Sequence, residues 1–110
     1  MIKVNGRSLI ISSADEFIGF DGDNKVETRQ FEINNPVLFD FDFKLEIKKQ
    51  NDQIGIVDLE KTVEADKIIL TWAILKEHIS PQYLYIQLRA FSGSDQVWHS
   101  EVGSLNVGDS

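Results

Sequence analysis

Apolar and polar side chains alternate in the second half of the chain, and this alternation predicts β-strands. In Lys67–Leu75 the even positions carry Ile, Leu, Trp and Ile, and in Tyr83–Phe91 they carry Leu, Ile, Leu and Ala. Successive strand residues point to opposite faces of a sheet, so each even set forms one apolar face. Ser92–Asp95 then supplies the small residues and the glycine of a hairpin turn, which leads to a third strand that ends before Gly108.

The first half of the chain contains a matching apolar face. Phe41–Lys49 alternates Phe, Phe, Leu and Ile with charged residues, so one whole face of this strand is apolar. We expect it to oppose Lys67–Val107 across the core, on the other side of a sandwich. Shorter strands are predicted at Arg7–Ser12, Glu16–Phe20 and Lys25–Ile33. The last of these begins with residues that are polar on both faces, so we expect its first half to lie near a sheet edge or to pass outside the sheet.

The alternation changes parity at two places. In Gln53–Val63 the isoleucines occupy even positions, whereas the valines and the leucine occupy odd positions. A bulge near Gly55–Val57, or a break into two short strands, explains that change. A second change of parity follows Trp98, and we expect a bulge at Gly103 there.

These elements predict an all-β fold, an antiparallel two-sheet β-sandwich of about eight strands at spacings of roughly 8–12 residues. A single helical turn is predicted at Lys76–Ser80, and Pro81 ends it. A length of 110 residues suits one hydrophobic core, so residues 1–110 are predicted to form a single domain.

Composition and charge narrow the classes of function. The net charge is −7, and Lys and Arg do not cluster, so the surface repels a phosphate backbone and nucleic acid is excluded as a partner. The absence of cysteine excludes a disulfide framework and a thiolate site. No apolar run approaches the roughly 20 residues of a membrane helix, and the first residues lack the apolar segment of a signal peptide. We expect no membrane insertion.

An acidic turn at Asp21, Asp23 and Asn24, with Glu27 nearby, offers oxygen atoms of the kind that calcium prefers. The order of these residues does not match the twelve-residue calcium loop, which needs ligands at alternate positions, a central Gly and a closing Glu. Asp and Asn are also common turn residues, because they tolerate a left-handed backbone. We therefore interpret this segment as a solvated turn without a metal.

The candidate acids, bases and nucleophiles lack the partners that catalysis requires. Carboxylates two residues apart share a strand face, but here they lie on polar faces, which is typical of a solvated sheet. Neither histidine has a ligand at zinc-motif spacing, and no G-x-S-x-G turn surrounds the serine that follows the second one. The side chains considered are Asp40 with Asp42, Asp58 with Glu60, His78, His99 and Ser100. We predict no enzyme activity, no catalytic or metal-binding residue and no cofactor.

The outward face of Tyr83–Phe91 carries Tyr83, Tyr85, Arg89 and Phe91. Tyr, Arg and Phe are enriched at protein interfaces, and a group of exposed aromatic residues needs an explanation that a single one does not. These four side chains are the predicted interface residues. The alternative, that another part of the chain covers this face, stays open.

A family resemblance is carried by the strings VETRQFEI, FDFKLEI, GIVDLEKTVEADKIILTW, YIQLRAF and WHSEVGSLNVGDS. Together they resemble the N-terminal domain of the baseplate upper protein, a small tail or baseplate module of phages and prophages of Gram-positive bacteria. The resemblance extends from about Val26 to Ser110 and is strongest in Asp58–Trp72, Gln87–Phe91 and Val97–Ser110. These are structural signatures and not active-site motifs.

The resemblance implies an immunoglobulin-like sandwich that is a structural part of a virion. Such a domain anchors a longer protein to other tail or baseplate proteins, often as a homo-oligomer, and is not an enzyme. It implies synthesis in the bacterial cytoplasm without a signal peptide, followed by localisation in the tail or baseplate. We accordingly expect residues 1–110 to be the N-terminal module of a longer protein.

A carbohydrate-binding module is the alternative function. Sandwiches often present aromatic platforms to sugars, and either the tyrosines and phenylalanine of the outward face or Trp98 could stack on a pyranose ring. This argument is an analogy between folds. Trp72 does not take part in it, because that side chain lies on an apolar face and is predicted to be in the core.

Overall fold

The computed structural model describes residues 1–18, 27–79 and 82–107, and within them the chain forms two packed β-sheets. The predicted all-β, two-sheet sandwich is confirmed, with eleven strands in the described ranges instead of about eight. Two 3-10 helices, at Pro36–Leu38 and Lys76–His78, connect strands. The other elements are β1 (Ile2–Asn5), β2 (Ser8–Ile10), α1 (Ser13–Glu16), β3 (Phe17–Ile18), β4 (Glu27–Ile33), β5 (Asp42–Lys49), β6 (Ile54–Asp58), β7 (Glu60–Glu64), β8 (Lys67–Ile74), β9 (Gln82–Ser92), β10 (Asp95–His99) and β11 (Gly103–Val107).

Sheet A has the strand order β2-β1-β4-β8-β7, and sheet B has the order β3-β11-β9-β5-β6, with β10 also paired to β9. Most neighbours are antiparallel, as predicted, but β1 runs parallel to β4 and β3 runs parallel to β11. Both sheets are therefore mixed. The N-terminal segment causes this, because β1 in sheet A and β3 in sheet B each lie beside a strand that no tight turn connects to them.

The expected division of strands between the two sides of the sandwich is wrong. We expected Phe41–Lys49 to oppose Lys67–Val107, but β5 pairs directly with β9 in sheet B, from Asp42 opposite Phe91 to Lys49 opposite Leu84. The chain leaves sheet A after β8 and enters sheet B with β9, so the C-terminal strands do not share one sheet. The predicted helical turn between them is present as the 3-10 helix at Lys76–His78.

The apolar faces predicted from alternation do point into the core. Trp72 is fully buried, as expected, and Phe41, at the margin, is half-buried. Burial of this size is the main stabilising contribution to such a fold, at about 25 cal/mol per Å² of apolar surface. The buried residues of the predicted faces are Ile68, Leu70, Trp72 and Ile74 from sheet A and Phe43, Leu45, Ile47, Leu84, Ile86, Leu88 and Ala90 from sheet B.

Both changes of parity have a structural cause. The first is a break into two strands, one of the two predicted explanations, but it lies at Leu59, where the chain passes from the edge of sheet B to the edge of sheet A. The second change of parity, after Trp98, lies at the break between β10 and β11, and the bulge expected at Gly103 is wrong, because Gly103 pairs with Ile86 in a regular register. A separate register shift lies earlier, between Gln96 and Trp98. That shift turns Trp98 into the core. Gly103 begins β11 after a break, and a Cβ there would lie 3.0 Å from Leu9.

The N-terminal segment contains a strand that the pattern did not predict. β1 and β2 form a hairpin whose turn residues are Gly6 and Arg7, and Gly6 has a φ of +63°, which favours glycine. In the described ranges the first half of β4 pairs only with β8, since β1 reaches β4 from Phe31 onward. This is the near-edge position, one of the two predicted possibilities. The acidic turn at Asp21, Asp23 and Asn24 lies outside the described residues.

Candidate functional site

The outer face of sheet B carries a group of exposed apolar side chains. Tyr83 and Tyr85 are 36% and 39% exposed, and their rings meet edge to face with centroids 5.3 Å apart. Grouped exposure of this kind differs from the scattered apolar residues that any surface has. We call this group the apolar patch; its members are Phe17, Ile54, Ile56, Tyr83, Tyr85 and Val102.

Strand register explains why these residues lie together. β9 is flanked by β11 and β5, and Tyr85 lies between Ser104 and Lys48. Tyr83 lies opposite Asn106, which in turn pairs with Phe17 of β3. Directly opposed residues on one face have Cβ atoms about 4.5–5.5 Å apart. The apolar members of each row are therefore separated by one polar residue, which is Asn106 between Phe17 and Tyr83 and Lys48 between Tyr85 and Ile54.

A polar network occupies the other end of the same face. The guanidinium of Arg89 donates to Glu46 Oε2 at 3.0 Å, to Gln87 Oε1 at 3.0 Å and to Gln96 Oε1 at 2.6 Å. Arg89 is half-buried, and Glu46 beside it forms an ion pair with it. The planar fork of arginine holds such partners in fixed directions, so Arg89 orders this end of the face and is already engaged within the chain.

Phe91 lies at the same end as Arg89. It is half-buried, and the ammonium of Lys44 lies 5.8 Å from its ring centroid, a distance at which a cation and a ring attract. All four predicted interface residues therefore share one face. Only Tyr83 and Tyr85 are exposed members of the apolar patch, whereas Arg89 and Phe91 contact neighbouring side chains.

A shallow groove of about 200 Å³ runs beside Tyr85. It is lined by Glu46, Lys48, Tyr85, Ile86, Gln87 and Val102. This volume is smaller than the ~300–1,000 Å³ of sites that enclose small ligands. The groove therefore suits a protruding side chain of another macromolecule better than a free small molecule.

The two histidines are held by neighbours in different ways. Nδ1 of His78 accepts hydrogen bonds from Trp72 Nε1 and from the backbone N–H of Leu75, both at 3.1 Å. His99 Nδ1 lies 3.0 Å from the carbonyl oxygen of Ser100. In the described part of the chain, no group of three or more His, Asp or Glu side chains could hold a metal ion.

The carboxylate pairs do not form catalytic constellations. Asp58 ends β6 in sheet B and Glu60 begins β7 in sheet A, so the face that we expected them to share does not exist. Asp42 begins β5, whereas Asp40 precedes the strand, and both are exposed to solvent. Ser100 is fully buried, and its hydroxyl donates to the carbonyl of Glu101 at 2.7 Å.

Four members of the apolar patch were missed from sequence. Ile54 and Ile56 occupy the parity opposite to Val57 and Leu59, and only their pairing with β5 decides which parity faces outward. Phe17 lies in the strand predicted at Glu16–Phe20, of which the structure describes Phe17–Ile18, but the pattern did not show which of its faces is exposed. Val102 lies in the break between β10 and β11, where alternation does not apply.

Comparison with models of protein families, with curated proteins and with solved structures finds no match to this chain. In the ranges that the structure describes, no helix is long and apolar enough to span a membrane. The immunoglobulin-like outline and the baseplate resemblance therefore stay predictions from the sequence strings.

Proposed function

We propose that this chain is a structural module of a phage or prophage tail or baseplate, and that it assembles into the virion through protein–protein contacts. The observation that carries the proposal is the apolar patch, with Tyr83 and Tyr85 at its centre. Aromatic residues in such groups are typical of interface cores. The resemblance of the sequence strings to a baseplate domain is the reason for proposing that this assembly is a phage tail or baseplate.

The distribution of polarity on the outer face supports a protein partner. An apolar patch lies beside an ordered polar network around Arg89 and Glu46, and interfaces commonly combine an apolar core with a polar rim. The partners are other tail or baseplate proteins, and we expect a homo-oligomer within the assembly. The place of the protein is then the virion, after synthesis in the bacterial cytoplasm.

The carbohydrate alternative depends on a flat aromatic platform. Trp98 is buried, with 9% of its surface exposed, so it is removed from that role. The rings of Tyr83 and Tyr85 are inclined to each other by 67°, so the pair does not present one plane to a sugar. Protein contact is the function that the geometry favours.

Incorporation into particles tests the proposal. A lysogen that encodes the full-length protein is induced, and purified virions are analysed by quantitative mass spectrometry. We expect the protein in the tail fraction, and we expect the Tyr83→Asp and Tyr85→Asp variants to be depleted about tenfold or more, because each introduces a charge into a desolvated contact. Val37→Asp is the matched control, since Val37 is exposed but lies outside sheet B.

Two results would contradict the proposal. The first is a purified particle without the protein. The second is equal incorporation of the tyrosine variants and the wild type, which would remove the apolar patch from assembly. A glycan array in which binding is lost with Tyr85→Asp but kept with Val37→Asp would instead establish the carbohydrate alternative.

A further inference from the structure

The outer strand of sheet B, β6, lacks the features that usually protect a sheet edge. Edge strands are commonly short, charged, bulged or interrupted by proline, because an open edge can pair with another chain. β7 carries Glu60, Lys61 and Glu64, and β2 has three residues. β6, in contrast, has the sequence IGIVD, with a single charge at its end. In the described part of the chain it pairs with β5 alone.

The backbone of β6 has a defined set of groups that point away from the sheet. The N–H of Lys49 donates to the carbonyl of Gln53 at 2.9 Å, so these two residues form a hydrogen-bonded pair of the β5–β6 hairpin. Such pairs alternate along an antiparallel ladder. Gly55 and Val57 therefore bond to β5. The N–H and C=O groups of Ile54, Ile56 and Asp58 point to the open edge.

These outward groups are self-complementary about a two-fold axis. With the axis at Ile56, Ile56 lies opposite itself, and Ile54 lies opposite the partner's Asp58. All three outward residues then form hydrogen-bonded pairs, which gives about six backbone hydrogen bonds. An axis at Gly55 would use only two of the three residues. No two like charges lie opposite each other in the register centred on Ile56.

Side chains on the inner side of β6 also fit this register. Gly55 lies opposite the partner's Val57, and no atom lies within 4 Å of the position that a Cβ on Gly55 would occupy. A notch of about 290 Å³ adjoins Gly55, with Ile47, Val57 and His78 in its lining. The notch can receive the side chain of the partner's valine. Its volume is just below the ~300–1,000 Å³ that is usual for small-ligand sites.

Sheet A leaves space beside this notch. β7 pairs with β8 only as far as Thr71, opposite Glu60, so the described part of β7 does not cover Trp72, Ala73 and Ile74. The outer surface of β6 presents Ile54 and Ile56, which are 63% and 56% exposed. Pairing would place the two copies of Ile56 side by side, and apolar cross-strand pairs of this kind are stabilising.

We propose that β6 is an assembly edge, at which two copies of this chain pair antiparallel about Ile56 and join their B sheets into one continuous sheet. This pairing uses the strand edge and requires no tail protein, and it shares Ile54 and Ile56 with the apolar patch of the proposed function. A contact along five residues falls in the small class of interfaces, below about 1,200 Å². We therefore expect a weak, concentration-dependent dimer, which repulsion between two chains of net charge −7 weakens further at low salt.

Cysteine cross-linking tests the register directly, because the chain has no cysteine of its own. In the proposed dimer the two copies of Ile56 have Cα atoms about 5.5 Å apart, within the range of a disulfide. The two copies of Ile54 are about 13 Å apart along the strand, beyond that range. We expect the Ile56→Cys variant to form a disulfide dimer about tenfold faster or more than the Ile54→Cys variant.

Sedimentation over a concentration series provides the second measurement. We expect the wild type to form a dimer that strengthens with salt, and Ile56→Lys to weaken it about tenfold or more, since two like charges would lie opposite each other. Val63→Lys is the matched control, because Val63 is similarly exposed on β7, the edge strand of sheet A. Both isoleucines are exposed, so these variants should keep the native circular dichroism spectrum.

Equal cross-linking rates for the two cysteine variants would overturn the proposal. So would a wild type that stays monomeric at about 1 mM, near the weak limit of specific association. The open edge would then be left to an extended segment of a different protein. Loss of incorporation into virions with an intact dimer, or the reverse, would separate this proposal from the proposed function.

Discussion

The indole N–H of Trp72 donates to Nδ1 of His78 at 3.1 Å, and this bond joins the centre of the core to the connection between the two sheets. The backbone N–H of Leu75 donates to the same nitrogen. An imidazole nitrogen that accepts hydrogen bonds carries no proton, so His78 is neutral and has its proton on Nε2. Burial lowers the pKa of His78; Glu77 opposes this effect and Lys49 adds to it.

The first prediction is a loss of stability in mild acid. The pKa of His78 is lower in the folded chain than its ordinary value of 6.5, so between these two values the unfolded chain binds more protons. The free energy of unfolding therefore falls as the pH drops below about 6.5, and this contribution levels off below the folded pKa. Urea unfolding between pH 8 and pH 5 measures the effect.

Replacement of each histidine isolates this contribution. His78→Gln should reduce the pH dependence of the unfolding free energy between pH 5 and pH 7, because it removes the titrating group. His99→Gln is the control, and this variant should retain the pH dependence of the unfolding free energy that His78 contributes. A pH dependence that is the same in the wild type and in His78→Gln would contradict the assignment.

The second prediction concerns Ser100, the only polar residue among the fully buried ones in the described ranges. Its Oγ accepts a hydrogen bond from the backbone N–H of Leu88 at 3.0 Å, and its own N–H donates to the Leu88 carbonyl at 2.9 Å. Ser100→Ala leaves the Leu88 N–H without its partner, so we expect a loss of about 1–3 kcal/mol in unfolding free energy. Ser104→Ala, at an exposed position of β11, should change it by less than about 0.5 kcal/mol.

Urea unfolding provides the measurement, and an unchanged m-value would show that the variants differ in stability and not in the surface exposed on unfolding. A Ser100→Ala variant as stable as Ser104→Ala would mean that the break between β10 and β11 closes around the missing hydroxyl.

The third prediction is that the ion pair between Arg89 and Glu46 contributes little to stability. The two side chains are 24% and 28% exposed, with N and O atoms 3.0 Å apart. Pairs of this exposure typically couple by about 0.2–1 kcal/mol, because solvent screens them. A double-mutant cycle of Arg89→Met and Glu46→Gln, measured by urea unfolding, should give a coupling energy in that range.

A coupling energy well above about 1 kcal/mol would contradict this prediction. The result matters for the outer face, since it decides whether changes at Arg89 can test contacts between proteins without unfolding the chain.

The fourth prediction concerns the turn between β7 and β8. Ala65 there has a φ of +52°, in the left-handed region that a side chain disfavours. Ala65→Gly should raise the unfolding free energy by about 0.5–1 kcal/mol, because glycine adopts this conformation without strain. Ala73→Gly, at an exposed position within β8, should lower it by about 0.5–1 kcal/mol. Thermal and urea unfolding of the two variants decide the sign, and a destabilised Ala65→Gly would contradict the strain argument.

The sequence was sufficient for the parts of the fold that depend on local alternation. The buried faces of β5, β8 and β9 were predicted because each places one whole parity in the core. The two parallel pairs and the passage between sheets at Leu59 were not, because they depend on which strands become neighbours. The strand at Ile2–Asn5 was missed, although Gly6, the first turn residue of its hairpin, is a common hairpin signal.

The candidate site was predictable to a similar extent. Alternation placed Tyr83 and Tyr85 on one outward face, and the structure places them there. The same rule could not assign Ile54 and Ile56, since a strand with apolar residues on both parities has no unique inner face until its partner is known. The ion pair between Arg89 and Glu46 could not be predicted either, because the two residues are neighbours only through the β5–β9 register.

The parallel pair between β3 and β11 also means that β3 cannot form this pairing until β11 has been synthesised. About 90 residues separate Phe17 from Asn106, its partner in this pair, so roughly 5–18 s pass between their synthesis at ~5–20 residues per second. Throughout this interval Ile18, fully buried in the finished sandwich, has no strand to pair with. β3, one of the first strands to be synthesised, therefore waits for β11 before it can pair within the described part of sheet B.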